Sequence, residues 1–246
     1  MITPTRRIVG TSFEQYQDFR VNLGLKASYD DLRTVGSASD SLKKQSGEYT
    51  DITARYGISY DKRNRVFNPT GGSITKFSQR LPLYADKAAI SNTLSSSTYK
   101  SFSENIVGAG KFYFSAINGL GSDDVRLSNR KTLSTRRLRG FEKSKVGPVD
   151  GNDHIGGNYA AAVNFETNLP NLLPENYDTD ISLFLDFGSV WGVDYDSSLD
   201  KSGIRSSVGV GLDWLTPVGP LTFSFAQPIT KESTDIEETF RFNIGT

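Results

Sequence analysis

The chain has no cysteine and only one histidine and one methionine. Without cysteine there can be no disulfide and no thiolate metal site. A single histidine, His154, leaves a His-dependent triad one candidate base, and no cluster of metal-ligating residues stands beside it. It reads as an ordinary loop residue. Net charge is also missing: 28 Lys and Arg balance 28 Asp and Glu, which excludes a general nucleic-acid binder, since that needs a cationic surplus. No run approaches the ~18 apolar residues of a membrane-spanning helix. Met1 is followed by Ile-Thr-Pro-Thr-Arg-Arg rather than an apolar stretch, so no signal peptide is read here. The expectation is a mature chain or a fragment.

Enzyme signatures are equally thin. Asp186-Phe187-Gly188 spells a kinase triplet, but no His-Arg-Asp or glycine-rich loop precedes it. The string Val107-Gly108-Ala109-Gly110-Lys111 lacks the spacing of a phosphate loop and runs straight into Phe112-Tyr113-Phe114. The expectation is a protein with no catalytic residue, no cofactor and no metal.

What the chain does have is glycine (23 residues), aromatics (11%) and alternation. Mean hydropathy is only −0.40, as expected when apolar and polar residues take turns along strands. Phe19, Val21, Leu23, Leu25 and Ala27 alternate with Arg20, Asn22, Gly24, Lys26 and Ser28. Ile52–Asp61 and Arg205–Trp214 do the same, the latter with Val208, Val210, Leu212 and Trp214 on one face. Leu221–Ala226 and Phe240–Ile244 follow the pattern, and weaker candidates are Ser73–Leu83, Ala89–Phe102, Val107–Asn118, Tyr159–Leu169 and Ile181–Trp191. That makes about ten strands of ~9–11 residues, the length a tilted strand needs to cross a bilayer. An additional short strand fits within Arg6–Gln15.

Connections alternate in length. Thr216–Pro220 and Asn68–Gly72 are tight Pro/Gly turns, whereas Asp30–Glu48, Gly119–Gly156 and Asp194–Ser202 are long and polar. Short turns at one rim and long loops at the other describe an outer-membrane barrel. A soluble sandwich would satisfy the same alternation. Strand length and the aromatics at strand ends (Tyr60, Trp191, Trp214) favour the barrel. No low-complexity linker divides residues 1–246, so one domain is expected.

One stretch sits oddly in this plan. "STRRLRGFEKSKVGP" places Arg136, Arg137, Arg139, Lys143 and Lys145 in a loop, around Leu138 and Phe141. It could be a solvated run, a nucleic-acid patch, or a loop folded into the lumen against buried acids. The neutral total counts against the second. The third needs inward carboxylates, and parity supplies two. With Ala161, Val163 and Phe165 facing lipid, Glu166 turns inward; with Ile181, Leu183, Leu185 and Phe187 facing lipid, Asp186 does too. A carboxylate in lipid would be costly, and a guanidinium has the donor geometry to bridge both.

The segments "RRLRGFE", "IGGNYAAAVNFETNLP", "ISLFLDFGSVWG", "VGVGLDWLTPVGPLTFSFAQPI" and "FRFNIG" resemble the C-terminal barrel region of the BamA family within the bacterial surface antigen superfamily. These are the outer-membrane protein assembly factors of Gram-negative bacteria. "SYDKRNRVFNPTGGS" resembles the family's strand–turn pattern farther upstream. The resemblance is strongest from Arg137 to Gly245. It implies that Arg139-Gly140-Phe141 is the signature of a loop folded into the lumen, with Arg139 on Glu166 and Asp186. It implies that Thr239, Phe240, Arg241, Phe242, Asn243, Ile244 and Gly245 form the final strand, at a weak seam where client strands add by β-augmentation.

Family members carry periplasmic POTRA repeats before a barrel of about sixteen strands. The expectation is therefore the C-terminal portion of an all-β, antiparallel transmembrane barrel, with the POTRA domains and first strands absent. The implied partners are unfolded outer-membrane protein clients, accessory assembly lipoproteins reached through those absent domains, and outer-membrane lipid. A sister translocator of two-partner secretion or autotransporter assembly is the alternative, and an outer-membrane pore a more distant one.

Overall fold

The computed structural model describes residues 5–66, 68–121, 123–169, 179–200, 202–216 and 219–244. Eleven strands form one antiparallel sheet. The first six are β1 (Thr5–Tyr16), β2 (Phe19–Leu32), β3 (Gly47–Asp61), β4 (Gly71–Ala85), β5 (Ala89–Ser103) and β6 (Ile106–Gly119). A long loop follows, carrying the two-residue strands β7 (Gly140–Phe141), β8 (Val149–Asp150) and β9 (Asp153–His154). The sheet resumes with β10 (Tyr159–Asn168), β11 (Thr179–Trp191), β12 (Arg205–Thr216) and β13 (Gly219–Thr230). After the short β14 (Glu237–Glu238) it ends in β15 (Phe240–Ile244). The main strands neighbour one another in chain order, β6 pairing directly with β10 across the loop and β13 with β15. Among the described residues β1 and β15 are the two edges, so the sheet is not closed.

Every strand expected from alternation is present. The eleventh is β1, where an additional short strand was fitted. Many strands are longer than the expected span: β3, β4 and β5 have 15 residues each. Pairing continues past what a bilayer requires; β2 and β3 stay in register up to Leu32 and Gly47. The alternation of loop lengths is not strict: residues 86–88 join β4 to β5 at the long-loop rim, and residues 62–70 join β3 to β4 at the short-turn rim. Pro217, Val218 and Gly245 lie outside the described residues. Among the described residues no helix is long and apolar enough to cross a membrane. The one α-helix among the described residues, α1 (Asp40–Lys44), sits in the β2–β3 loop.

The tight turn before β4 shows why the sequence carries glycine there. Gly72 has φ +90, and a Cβ on it would lie 2.0 Å from the Lys62 carbonyl oxygen. Only glycine takes that backbone at that distance.

The two faces of the sheet differ as parity predicts. Leu23, Leu25, Phe112, Phe165, Leu183, Val208, Trp214, Phe225 and Phe242 are exposed on the outer face. An apolar surface this continuous would aggregate in water and matches a lipid-facing band. On the inner face lies the only hydrophobic cluster of the described residues. Leu133, Leu138, Phe141 and Val146 from the long loop pack on Ala160, Ala162 and Val190, with Tyr113 alongside. Burying Leu138 and Phe141, both 2% exposed, contributes about 1.5–3 kcal/mol each.

At the long-loop rim, polar contacts tie the loops together. Arg126 pairs with Asp30 and Asp51 and stacks on the Tyr49 ring. Arg130 pairs with Asp194, and the Tyr195 hydroxyl donates to Ser41, which binds Asp150.

Candidate functional site

The basic stretch is not solvated as a whole. Residues 134–138 turn back on the sheet, with Leu138 N–H donating to the Ser134 carbonyl, and deliver Arg139 to the inner face of β10 and β11. Asp186 on β11 is fully buried. The Arg139 guanidinium grips it in two parallel bonds, Nε to Oδ2 and Nη2 to Oδ1, both 2.7 Å. The Arg139 backbone N–H donates to the same Oδ2 at 3.1 Å. The remaining arm, Nη1, donates to Glu166 Oε2 on β10 at 3.0 Å. Both acids named by strand parity therefore meet this one arginine.

Other residues complete the arrangement. The Arg139 guanidinium carbon lies 3.5 Å from the centre of the Phe184 ring, which covers its flat face. Asn164 spans from the Arg137 carbonyl to Asp186 Oδ1, both at 2.8 Å. Lys111 on β6 approaches Glu166 at 3.4 Å. Ser207 on β12 donates to the Arg139 carbonyl. The Arg139 anchor is thus fixed by side chains from four adjacent strands. A fixed donor fork and a stacked face are what arginine offers and lysine does not.

Gly140 follows with φ +87, and a Cβ there would press at 3.3 Å against both Ala226 and Ser207. Phe141 fills the apolar cluster beneath the loop. Gly140 and Phe141 also pair as β7 with Glu238 and Glu237 of β14, and the ribbon continues through Glu142 N–H to Ile236 O and Ile236 N–H to Lys145 O. The arginine loop is therefore hydrogen-bonded to the residues just before the last strand.

That last strand is slight. β15 has five residues and pairs with β13 from Phe240↔Phe225 to Ile244↔Leu221. Thr239 precedes it, its carbonyl still accepting from Ala226 N–H at 2.8 Å. Phe240 and Phe242 meet Phe225 and Phe223 with ring centres 4.8 and 4.9 Å apart. Arg241 turns to the other face and pairs with Glu238. Among the described residues, the edge of β15 away from β13 has no strand beside it.

Sequence reasoning passed over a second buried ion pair. Arg205, placed on the inner face by alternation, was given no partner. It forms two bonds with Asp235, at 2.8 and 3.0 Å, and both side chains are fully buried. Asp235 lies in the β13–β15 connection, so no periodicity points to it. Arg137 is engaged as well, its guanidinium carbon 3.4 Å from the centre of the Tyr113 ring. His154 bonds the Thr234 carbonyl through Nε2 at 2.9 Å, joining β9 to that same connection. Among the described residues no group of three or more His, Cys, Asp or Glu is placed to hold a metal ion.

Residues 5–246 match the family model described as the Omp85 superfamily domain. The chain belongs to the Omp85 superfamily. Its curated relatives include the outer membrane protein assembly factor BamA of Neorickettsia risticii, 27% identical over 245 residues, covering 95% of this chain and 32% of that protein. The BamA of Neisseria meningitidis is 27% identical over 274 residues, covering 92% of this chain and 34% of that one. Among solved structures, BamA from Haemophilus ducreyi lacking POTRA domains 1–3 superposes with a TM-score of 0.84 at 26% identity, over 96% of this chain and 53% of that one. The chain thus spans about a third of the length of these curated relatives. The open eleven-stranded sheet is part of an Omp85 barrel of the outer membrane, as the motifs implied.

Proposed function

We propose that this Omp85 chain is the C-terminal part of a barrel that assembles and inserts β-barrel proteins into the outer membrane. The observation that carries the reading is the edge of β15. Among the described residues that strand is only five residues long and pairs with β13 over those five positions, and a strand so slightly held at a sheet edge can give way and leave a template for another strand. Client strands add there by main-chain hydrogen bonding while the lipid-facing band of the sheet holds the barrel in the bilayer.

The Arg139 loop has a bracing role in this scheme. It ties β10, β11 and β12 together from inside, and its β7–β14 ribbon steadies the approach to β15. The edge is thereby weak while the wall behind it is stiff. No residue acts as a catalyst and no cofactor is used. The partners are unfolded outer-membrane proteins, outer-membrane lipid, and accessory lipoproteins bound through periplasmic domains beyond this chain.

Cysteine is absent from this chain, so a thiol introduced into it, with any cysteine elsewhere in the protein replaced by serine, gives a crosslinking test. Asn243→Cys is introduced into the full-length protein, together with a stalled client carrying one cysteine in its C-terminal strand. A disulfide between them is expected, and none when the cysteine is moved to Ser95 on β5. Equal crosslinking at the two positions, or none at Asn243→Cys while clients still assemble, rejects edge templating.

A further inference from the structure

The outer face of a lipid-bathed strand normally carries large apolar side chains. On β6 that rule lapses at two successive outward positions, Gly108 and Gly110. They pair across the ladder with Lys100 and Thr98 of β5, and Gly110 pairs with Phe165 of β10. The missing side chains leave a trough of about 600 Å³ on the outer face, within the ~300–1,000 Å³ typical of small-molecule sites. Its far wall is apolar: Phe165, Leu183 and Leu185, with Val208 beyond.

The two glycines differ in what they accommodate. A Cβ on Gly108 would lie 2.5 Å from the Phe102 ring, so that glycine makes room for the protein's own side chain. A Cβ on Gly110 would meet nothing within 4 Å. No internal packing requires glycine there, and its absent side chain keeps the trough open to the outside. Glycine within a strand otherwise weakens it.

One end of the trough is charged. Lys100 is exposed and forms no ion pair with a described residue; its ammonium lies 6.0 Å from the centre of the Phe102 ring. Lys100 and Phe102 stand at the end of β5 beside the two-residue turn into β6, the short-turn rim. In outer-membrane barrels that rim faces the periplasm. A cation and an aromatic at the end of an apolar trough, at headgroup level, match a lipid with a phosphate headgroup.

We propose that this trough binds one anionic glycerophospholipid of the periplasmic leaflet, with an acyl chain over Gly110 against Phe165 and Leu185 and the phosphate at Lys100. The inference rests on the outer-membrane location of the barrel and is independent of its assembly activity. The charge selects the occupant: a second copy of the chain would bring its own Lys100, and an apolar protein segment would leave the ammonium without a counter-ion.

Full-length protein is reconstituted in nanodiscs of mixed phosphatidylglycerol and phosphatidylcholine, released in the gas phase, and its retained lipids are read by native mass spectrometry. The expected result is one retained phosphatidylglycerol in the wild type. Gly110→Leu, which fills the trough, should lose it. Lys100→Gln should keep a lipid but lose the preference for phosphatidylglycerol. Heat-modifiable migration on gels checks that each variant is folded; should Gly110→Leu fail to fold, the Lys100→Gln arm decides alone. Unchanged retention in folded Gly110→Leu, a wild type indifferent to headgroup, or a retained second copy of the protein each overturns the proposal.

Discussion

The inner face of the sheet is dressed differently at its two ends. On β10 to β12 the inward residues are nearly all buried against the loop: Ala160, Ala162, Asn164, Asp186, Val190 and Ser207 are small or hydrogen-bonded, and Phe184 covers Arg139. On β2 to β4 the same face carries Arg20, Arg55, Lys76 and Arg80, all exposed. Strand geometry and alternation are the same in both regions. The Arg139 part of the long loop lies against the first, whereas the second meets the loop only near the rim, where Arg126 reaches Asp30 and Asp51. Inward positions thus differ in whether something is packed on them: beneath the loop the side chains are mostly small or, like Arg205, paired and buried, whereas on β2 to β4 long cations line a wet interior. Substitutions chosen in matched pairs can test that reading.

The largest effect is expected at Asp186. Its carboxylate accepts from Arg139 Nε, Nη2 and backbone N–H and from Asn164. Asp186→Ala leaves the Arg139 charge buried with only Glu166 as partner. Removing one member of a buried pair costs about 3–5 kcal/mol. The folded barrel should lose its heat resistance in detergent by a corresponding margin. Arg55→Ala, on the exposed inner wall, should move the same measurement by no more than about 0.5 kcal/mol. Similar losses at both sites would erase the distinction between the two regions. Arg139→Glu should be as damaging, and combining it with Asp186→Arg should recover part of the loss if the pair is what braces the loop.

A smaller effect is expected at Lys131, in the loop. Its ammonium is buried and donates to Ser91 Oγ at 2.6 Å. Burial, helped by the nearby charge of Arg80, pushes its pKa down from 10.5 to about 8. The unfolded chain therefore holds this proton more tightly than the folded one. Folded stability should be lowest below about pH 8 and rise as pH climbs from there toward 10.5. Lys131→Met should remove that rise and stabilise the neutral-pH protein by something on the order of 2 kcal/mol. Lys76→Met, exposed on the opposite wall, should change neither the pH profile nor the stability. Denaturant titrations at pH 7 and 9.5 on the three proteins separate these outcomes.

How far the sequence reaches follows the same division. Period-two alternation exposed the strands and both acids of the brace, because a lipid-facing carboxylate is so unfavourable that parity leaves Asp186 and Glu166 one side to face. The motif around Arg139 then supplied their partner. What alternation could not supply was anything joining two loops or a loop to a strand. Asp235 answers Arg205 across 30 residues, and the β7–β14 ribbon is made by backbone groups that any residue provides. The stacking of Arg137 on Tyr113 and of Arg139 on Phe184 also depends on how the loop descends, which no spacing encodes.

The finest probe of the comparison is a single methyl group. Gly188 on β11 and Gly57 on β3 both face inward on the sheet. A Cβ on Gly188 would stand 2.7 Å from Leu133 Cδ1 and 3.3 Å from Leu138 Cδ2, both side chains of the loop. A Cβ on Gly57 would find its nearest neighbour at 3.5 Å, the Phe77 carbonyl oxygen, in ordinary contact. Gly188→Ala must therefore displace the packed loop, at a cost of about 1–2 kcal/mol. Gly57→Ala asks nothing of its surroundings, and by narrowing the unfolded ensemble it should be neutral or stabilising by about 0.5 kcal/mol. The flexible end of Leu133 offers some relief, so the Gly188→Ala loss should shrink in a Leu133→Ala background, whereas Gly57→Ala should be indifferent to it. A coupling between Gly188 and Leu133 that is absent at Gly57 would place the difference between the two walls in the loop rather than in the strands.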